Sequence, residues 1–344
     1  MNSALADGEQ QLSDAPASPQ PRSARATRPL LRLLLSRVLG VLAILLVISF
    51  LTFTLMYLAP GDLVKNLLGN RPSSPEAIAA VREQYRLDDP FFARYFSWLA
   101  DALRGDFGVS IRMRQPVTEV LASRVGLTAA LAGLAFVLAL ITAIPMGISG
   151  AARAGSTRDR IGSALALIGL SAPSFALAIL LLYAFAMVLP IFPAYGAGSG
   201  FFDRLVHLVL PATVLAMGLG AILMRMTRAA MVRELSADYV TFARARGIPE
   251  RQVQRLALRN ASIPIVTGAG LILTFLIGGT IIVETVFALP GIGLLLQEAV
   301  LFKDLPVVQA VVLLVALVIA VIAILVDLSY LVLDPRVRAR ELQS

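Results

Sequence analysis

The sequence predicts an all-α integral membrane protein with six transmembrane helices, and three observations predict it. Its 344 residues are 58% hydrophobic with a mean hydropathy of +0.80, too apolar for a soluble domain. Charge is absent from six long stretches, bounded by Arg37 and Asp62, Arg124 and Arg153, Arg160 and Asp203, Arg204 and Arg225, Arg259 and Glu284, and Asp304 and Asp327. Arginine crowds alternate connections between those stretches and is sparse, or offset by acids, in the others.

A helix crosses the ~30 Å hydrocarbon layer in ~20 residues, so each stretch holds one span. The predicted spans lie near 38–59, 125–150, 161–189, 206–225, 263–286 and 306–332. The third stretch has length for two, but Pro190, Pro193, Gly196, Gly198 and Gly200 make its second half a poor helix. It is read as one span. Six spans place both termini on one side. That side carries Arg22, Arg25, Arg28, Arg32 and Arg37, then Arg153, Arg158 and Arg160, then eight arginines from Arg225 to Arg259, and Arg336, Arg338 and Arg340. The long loop opposite holds nine basic residues, but eight acids accompany them. The arginine-rich side is therefore expected to be cytoplasmic. The same rule accounts for a pI near 10.4, so no nucleic-acid partner is needed to explain the charge.

Residues 1–28 are rich in Ser, Ala, Pro and Gln and read as a disordered cytoplasmic tail. The first transmembrane helix, 29–60, is too long for a signal-peptide core and is read as retained. An extracytoplasmic loop, 61–124, follows. There Ser74-Pro75-Glu76 and Pro90 each mark a helix start. In the second of these helices Phe91, Phe92, Tyr95, Trp98, Leu99 and Leu103 form an aromatic stripe. It is expected to pack on the bundle or the membrane interface, the other reading being a docking surface for an external partner. Residues 125–333 form a five-helix core that includes a connector, 226–262, and 334–344 are a second cytoplasmic tail.

Several chemistries are excluded. There is no cysteine, which removes disulfides and thiolate metal sites, and one histidine, His207, makes no metal centre. Only two lysines occur, Lys65 and Lys303, and neither follows glycine, so no phosphate loop ending in Gly-Lys exists. Any nucleotide hydrolysis falls to another subunit. Gly147-Ile148-Ser149-Gly150 resembles the G-x-S-G pattern of rhomboid-type intramembrane proteases. The predicted topology sets Ser149 and His207 a bilayer apart, whereas proton transfer needs about 3 Å. Helix packing by small residues is the plainer reading.

The connector is where charge concentrates. Arg225, Arg228, Arg233, Arg244, Arg246, Arg251, Arg255 and Arg259 face Glu234, Asp238 and Glu250, a net charge of +5. Tyr239, Phe242 and Ala243 fall at helical spacing on one face. Gly247 suits a left-handed cap, and Ile248-Pro249-Glu250 restarts a helix. A helix–turn–helix presented to the cytoplasm is predicted, with adsorption onto anionic lipid as the alternative.

These residues resemble the cytoplasmic loop of the membrane subunits of binding-protein-dependent ABC importers, in the dipeptide/oligopeptide/nickel branch. The pattern D-Y-V-x-x-A-R-A-[KR]-G is met by Asp238, Tyr239, Val240, Ala243, Arg244, Ala245, Arg246 and Gly247, and A-L-R-N-A-x-I-P by Ala257 to Pro264. Further matches are Pro60-Gly61-Asp62, Gly105-Asp106-Phe107-Gly108, Ser171-Ala172-Pro173, His207-Leu208 with Leu210-Pro211, Gly278-Gly279 through Glu284, and Pro290-Gly291-Ile292-Gly293. Asp334-Pro335-Arg336 begins the tail, and the resemblance covers roughly residues 32–338. One departure stands out: the wider superfamily's Glu-Ala-Ala reads Thr241-Phe242-Ala243 here, so a salt bridge from that glutamate is not carried over.

The resemblance implies a type I permease bundle in a bacterial inner membrane, forming half of a path for oligopeptides or dipeptides. It implies a homologous second permease, two ATPase subunits or a fused one, and an extracytoplasmic binding protein. This chain would bind no cofactor, with ATP and magnesium held by the ATPases. Asp238, Tyr239, Phe242, Ala243, Arg244, Ala245, Arg246, Gly247 and Ile248 would form a coupling helix seated on an ATPase, and Glu284, Ser171 and Pro173 would border the path. Glu284 has a second reading as a carboxylate bonded to the Pro290-Gly291 turn. Asp327 is expected to pair with cytoplasmic arginines, and His207 to be an interfacial hydrogen-bonding residue. The alternative function is an ATP-independent secondary transporter or channel, which predicts an inverted repeat with interrupted spans; the sequence displays neither.

Overall fold

The computed structural model describes residues 27–58, 64, 74–84 and 86–333. The tail before Thr27, Pro60-Gly61-Asp62 and the segment from Asp334 lie outside them. In chain order the helices are α1 (Thr27–Leu58), α2 (Pro75–Gln84), α3 (Phe91–Leu103), α4 (Val117–Ala152), α5 (Thr157–Ser171), α6 (Ser174–Leu182), α7 (Gly200–Leu235), α8 (Asp238–Ala245), α9 (Glu250–Val286), α10 (Ile292–Leu301) and α11 (Leu305–Leu333). Among the described residues no strand forms beyond an isolated bridge between Val109 and Pro116. Five helices are long and apolar enough to cross a membrane: α1, α4, α7, α9 and α11.

The third predicted span is the exception. It was expected to run unbroken over 161–189, and instead α5 and α6 meet at 104°. Pro173 is the cause. It carries no N–H and disfavours helical geometry at the preceding residue, and Ala172 is extended, at φ −72° and ψ 128°. A π-helical turn, Tyr183–Val188, follows α6, with the Leu189 N–H donating to the Ala184 carbonyl at 3.0 Å.

The bent pair packs along α7. At its start Asp159 pairs with Arg228 of α7, and beyond the elbow Leu177 and Ala178 share one apolar cluster with Leu208, Leu210 and Val214 of α7. Counted as one broken span, the pair is the sixth candidate crossing.

α7 is the axis, with α4, α5, α6 and α9 all packed on it. Close approach depends on small residues. A Cβ at Gly147 of α4 would meet Thr227 at 2.7 Å and the Met224 carbonyl at 2.8 Å, so only glycine fits. The Gly147–Gly150 motif is thus a packing surface. Ala139, Ala143, Ala221, Ala257 and Ala261 continue this small-residue core at one end, and Leu131, Leu177, Leu208, Leu215 and Phe287 fill the other. Many apolar residues remain exposed, Leu42, Leu46, Val137 and Ile141 among them, as a lipid-facing surface requires.

The aromatic stripe of α3 packs on the bundle. Tyr95 is buried, its hydroxyl 2.8 Å from that of Ser49, and Phe50, Phe53, Phe91, Tyr95 and Trp98 stack in edge-on and tilted pairs. Phe92, Phe96 and Leu103 point away and stay exposed.

Candidate functional site

The connector folds as a helix and a capped turn. Asp238 starts α8 in its positive first turn, and the helix ends after two turns. Gly247 adopts φ +73°, where a side chain would be strained. Its N–H donates to the Arg244 carbonyl at 2.9 Å and the Ile248 N–H reaches back to Ala243 at 3.1 Å. That pair of bonds is a Schellman cap. Across the turn Arg244 clasps Glu250 with two hydrogen bonds, of 3.1 and 2.8 Å, and so holds that carboxyl below its usual pKa. Proline 249 then caps α9.

The faces of α8 differ from the expected grouping. Ala243 is not on the outer face with Phe242. It is buried with Val240 against Val253 of α9, because those positions close the turn's own small core. Tyr239 is half-buried, its hydroxyl donating to Glu234 at 3.0 Å, and burial pushes the phenol pKa up. Thr241, Phe242, Ala245, Arg246, Gly247 and Ile248 make the exposed face. Phe242 is 69% exposed at its centre. Arg233, Arg251, Arg255 and Arg259 of the connector are exposed too.

The residues expected along a path separate. Ser171 and Pro173 are exposed at the α5–α6 elbow. Glu284 is fully buried, and its bonds go to Thr128 and the first turn of α10 rather than to the Pro290-Gly291 turn itself. Thr128 donates to one oxygen at 2.6 Å and the Leu294 N–H to the other at 3.0 Å, while the Ile292 N–H donates to Thr128 at 2.8 Å. A Cβ at Gly291 would collide with the carboxylate. Glu284 therefore locks the end of α9 to the start of α10 and, in this conformation, offers no atom to a path.

Other expectations fall into place. Arg37 meets Asp327 at 3.1 Å. His207 Nδ1 lies 2.8 Å from the Asp203 carbonyl. Gly147 packs on Thr227, and His207 sits 20 residues earlier on α7, about 30 Å away, so Ser149 beside Gly147 and His207 cannot cooperate.

Two structural carboxylates were not anticipated. Asp159 is bidentate to Arg228, at 2.6 and 2.7 Å, and accepts the Gly155 N–H. Asp304 accepts from the Ser110 hydroxyl and from the Ile111 and Arg112 N–H groups, tying the outer loop to the α10–α11 turn. The spacing of Ser156 and Asp159, a capping-box pattern, was the readable signal for the first. Asp304 had none, since its partners lie 192 to 194 residues away.

Residues 143–339 match the family described as binding-protein-dependent transport system inner membrane component, and residues 30–132 match that family's N-terminal region. A glutathione transport system permease protein of Salmonella choleraesuis (strain SC-B67) is 38% identical over 310 residues, 90% of this chain and 99% of the relative. A putative peptide transport system permease protein of Brucella abortus (strain 2308) is 39% identical over 311 residues, 89% and 98% of the two chains. The fold is similar to that of the MetNI methionine ABC transporter in an inward-facing conformation. The TM-score is 0.55 at 20% identity, over 64% of this chain and 100% of that one.

Proposed function

The chain belongs to the family of binding-protein-dependent transport system inner membrane components, and from that premise we propose that it carries peptides and couples to cytoplasmic ATPases through α8. The family makes it the permease subunit of an ABC importer, a multi-pass membrane protein whose nucleotide hydrolysis belongs to another subunit. The peptide reading is supported by the names of relatives that cover nine-tenths of the chain, one for glutathione and others for peptides. Its partners would be a homologous second permease, two ATPases or a fused pair, and an extracytoplasmic binding protein.

One observation carries the coupling role. Phe242 projects from a short helix whose other face is pinned by Val240, Ala243 and Val253 and whose turn is clasped by Arg244 and Glu250. An exposed aromatic on a pinned helix, within a connector of net charge +5, suits a groove with an acidic rim. Closure of the ATPases would push on α8, and its tight cap would pass the force into α9 as a rigid-body motion. The arginine-rich side, with α8 and both termini, is assigned to the cytoplasm.

Phe242→Glu tests this. The side chain supports nothing in the fold, so insertion and thermal stability should persist. Losing an aromatic anchor should weaken ATPase co-purification by at least about tenfold. Unchanged co-purification with unchanged transport would sink the coupling role. ATP-dependent uptake of glutathione or simple dipeptides by vesicles holding the whole complex checks the substrate class separately.

A further inference from the structure

Two adjoining cavities lie where α4, α5 and α7 converge. The smaller, about 150 Å³, is lined by Arg153, Arg158, Ser163 and Gly162, with the Asp159–Arg228 pair in its wall. The larger, about 410 Å³, is lined by Leu138, Leu165, Ile168, Met217 and neighbouring apolar residues down to Leu177 beyond the elbow. Met146 and Met224 line both, so the two join end to end. Neither Ser171 nor Pro173 lines either of them.

We propose that this compound cavity binds one anionic phospholipid, headgroup at Arg153 and Arg158, acyl chain along the groove beside Leu165 and Met217. The charges select the headgroup. Asp159 is consumed by its bidentate bond to Arg228, and Arg153 and Arg158 have no carboxylate partner among the described residues. Two uncompensated guanidiniums and the Ser163 hydroxyl of α5 form a donor set for a phosphate group. The groove selects the tail. From Met224 to Thr213 it follows 11 residues of α7, about 16 Å, at a depth set by the same helix that crosses the bilayer. Methionine at positions 146, 217 and 224 adapts to a flexible chain. A soluble phosphate would use the arginines and leave the groove idle, whereas a phospholipid uses both. Basic pockets between spans at the inner leaflet suit anionic headgroups. The inference rests on the proposed topology only for the leaflet it assigns.

The test is native mass spectrometry of the assembled transporter, titrated with dioleoylphosphatidylglycerol or dioleoylphosphatidylcholine. Phosphatidylglycerol should be retained preferentially. Arg153→Gln with Arg158→Gln should weaken that retention about thirtyfold, and lysine at both positions should restore it. Leu165→Trp, which fills the groove and spares the charges, should weaken it too. Arg251→Gln with Arg255→Gln, on another face, should leave it unchanged. Equal retention of the two lipids would overturn the proposal, as would indifference to either change. Competition by inorganic phosphate with no effect of Leu165→Trp would assign the arginines to a soluble anion. Loss of the second permease from the Leu165→Trp complex, with lipid retained, would assign the groove to that partner. Topology is read apart from this, by thiol labelling of Arg246→Cys, so the two ideas fail independently.

Discussion

A carboxylate closed off from water survives only if donors saturate it, and Glu284 meets that condition with Thr128 and the Leu294 N–H. The Leu294 N–H can only donate, whereas the Thr128 hydroxyl, which accepts from the Ile292 N–H, could also accept from an amide. Glu284→Leu removes the acceptor from both at similar volume, and a buried donor left unpaired costs about 1–3 kcal/mol. Thermal unfolding in detergent should show a clear loss of stability, with ATPase assembly retained. Gly291→Ala should do the same by steric displacement, because its Cβ would occupy the carboxylate's place. A Leu variant as stable as the parent would mean that Glu284 has no locking role. Both readings of this residue are open in the sequence, since an acid at a span end says nothing about which way it points.

Elements show where hydropathy is informative and where it is blind. Gaps between charges located the crossing segments, because a charge at mid-bilayer is expensive whatever the fold. They could not reveal the elbow: Ile161 to Leu189 is uncharged throughout, and an absence of charge carries no direction. Only Ser171-Ala172-Pro173-Ser174 signalled a break, and proline also occurs at Pro145, Pro211 and Pro264 inside helices that continue. What separates them is the preceding residue, extended at Ala172 and helical before the other three. The elbow is the one interrupted span among the described residues, so no second half repeats it as a secondary transporter's would. On the proposed function Ser171 and Pro173, both exposed at the break, would face the path or the second permease. Pro173→Ala restores the missing N–H and lets α5 continue into α6. Amide exchange across residues 172–175 should slow and transport should fall, while ATPase co-purification stays normal. Full transport with a straightened helix would remove the elbow from the mechanism.

Across the whole molecule, α7 packs on α4, α5, α6 and α9, so on the proposed coupling role work delivered at α8 would enter at one end of α7–α9 and alter the other. The connector's capped turn, the Asp159–Arg228 pair and the glycine contact at Thr227 cluster at one end of that axis. Glu284 and Asp304 stitch α9, α10, α11 and the outer loop together at the other. Each end is tied by hydrogen bonds or an ion pair, and the helix break at the elbow lies between them. This layout requires the two ends to face opposite compartments. The chain contains no cysteine, so single thiols introduced at Arg153, Phe242 and Lys303 report position without background. A membrane-impermeant maleimide should reach 303 from outside intact cells, and 153 and 242 only in inside-out vesicles. If 153 and 303 label from the same side, α5 and α6 form a re-entrant loop rather than a crossing. If 242 labels from outside, α8 never meets an ATPase, and the force must enter elsewhere.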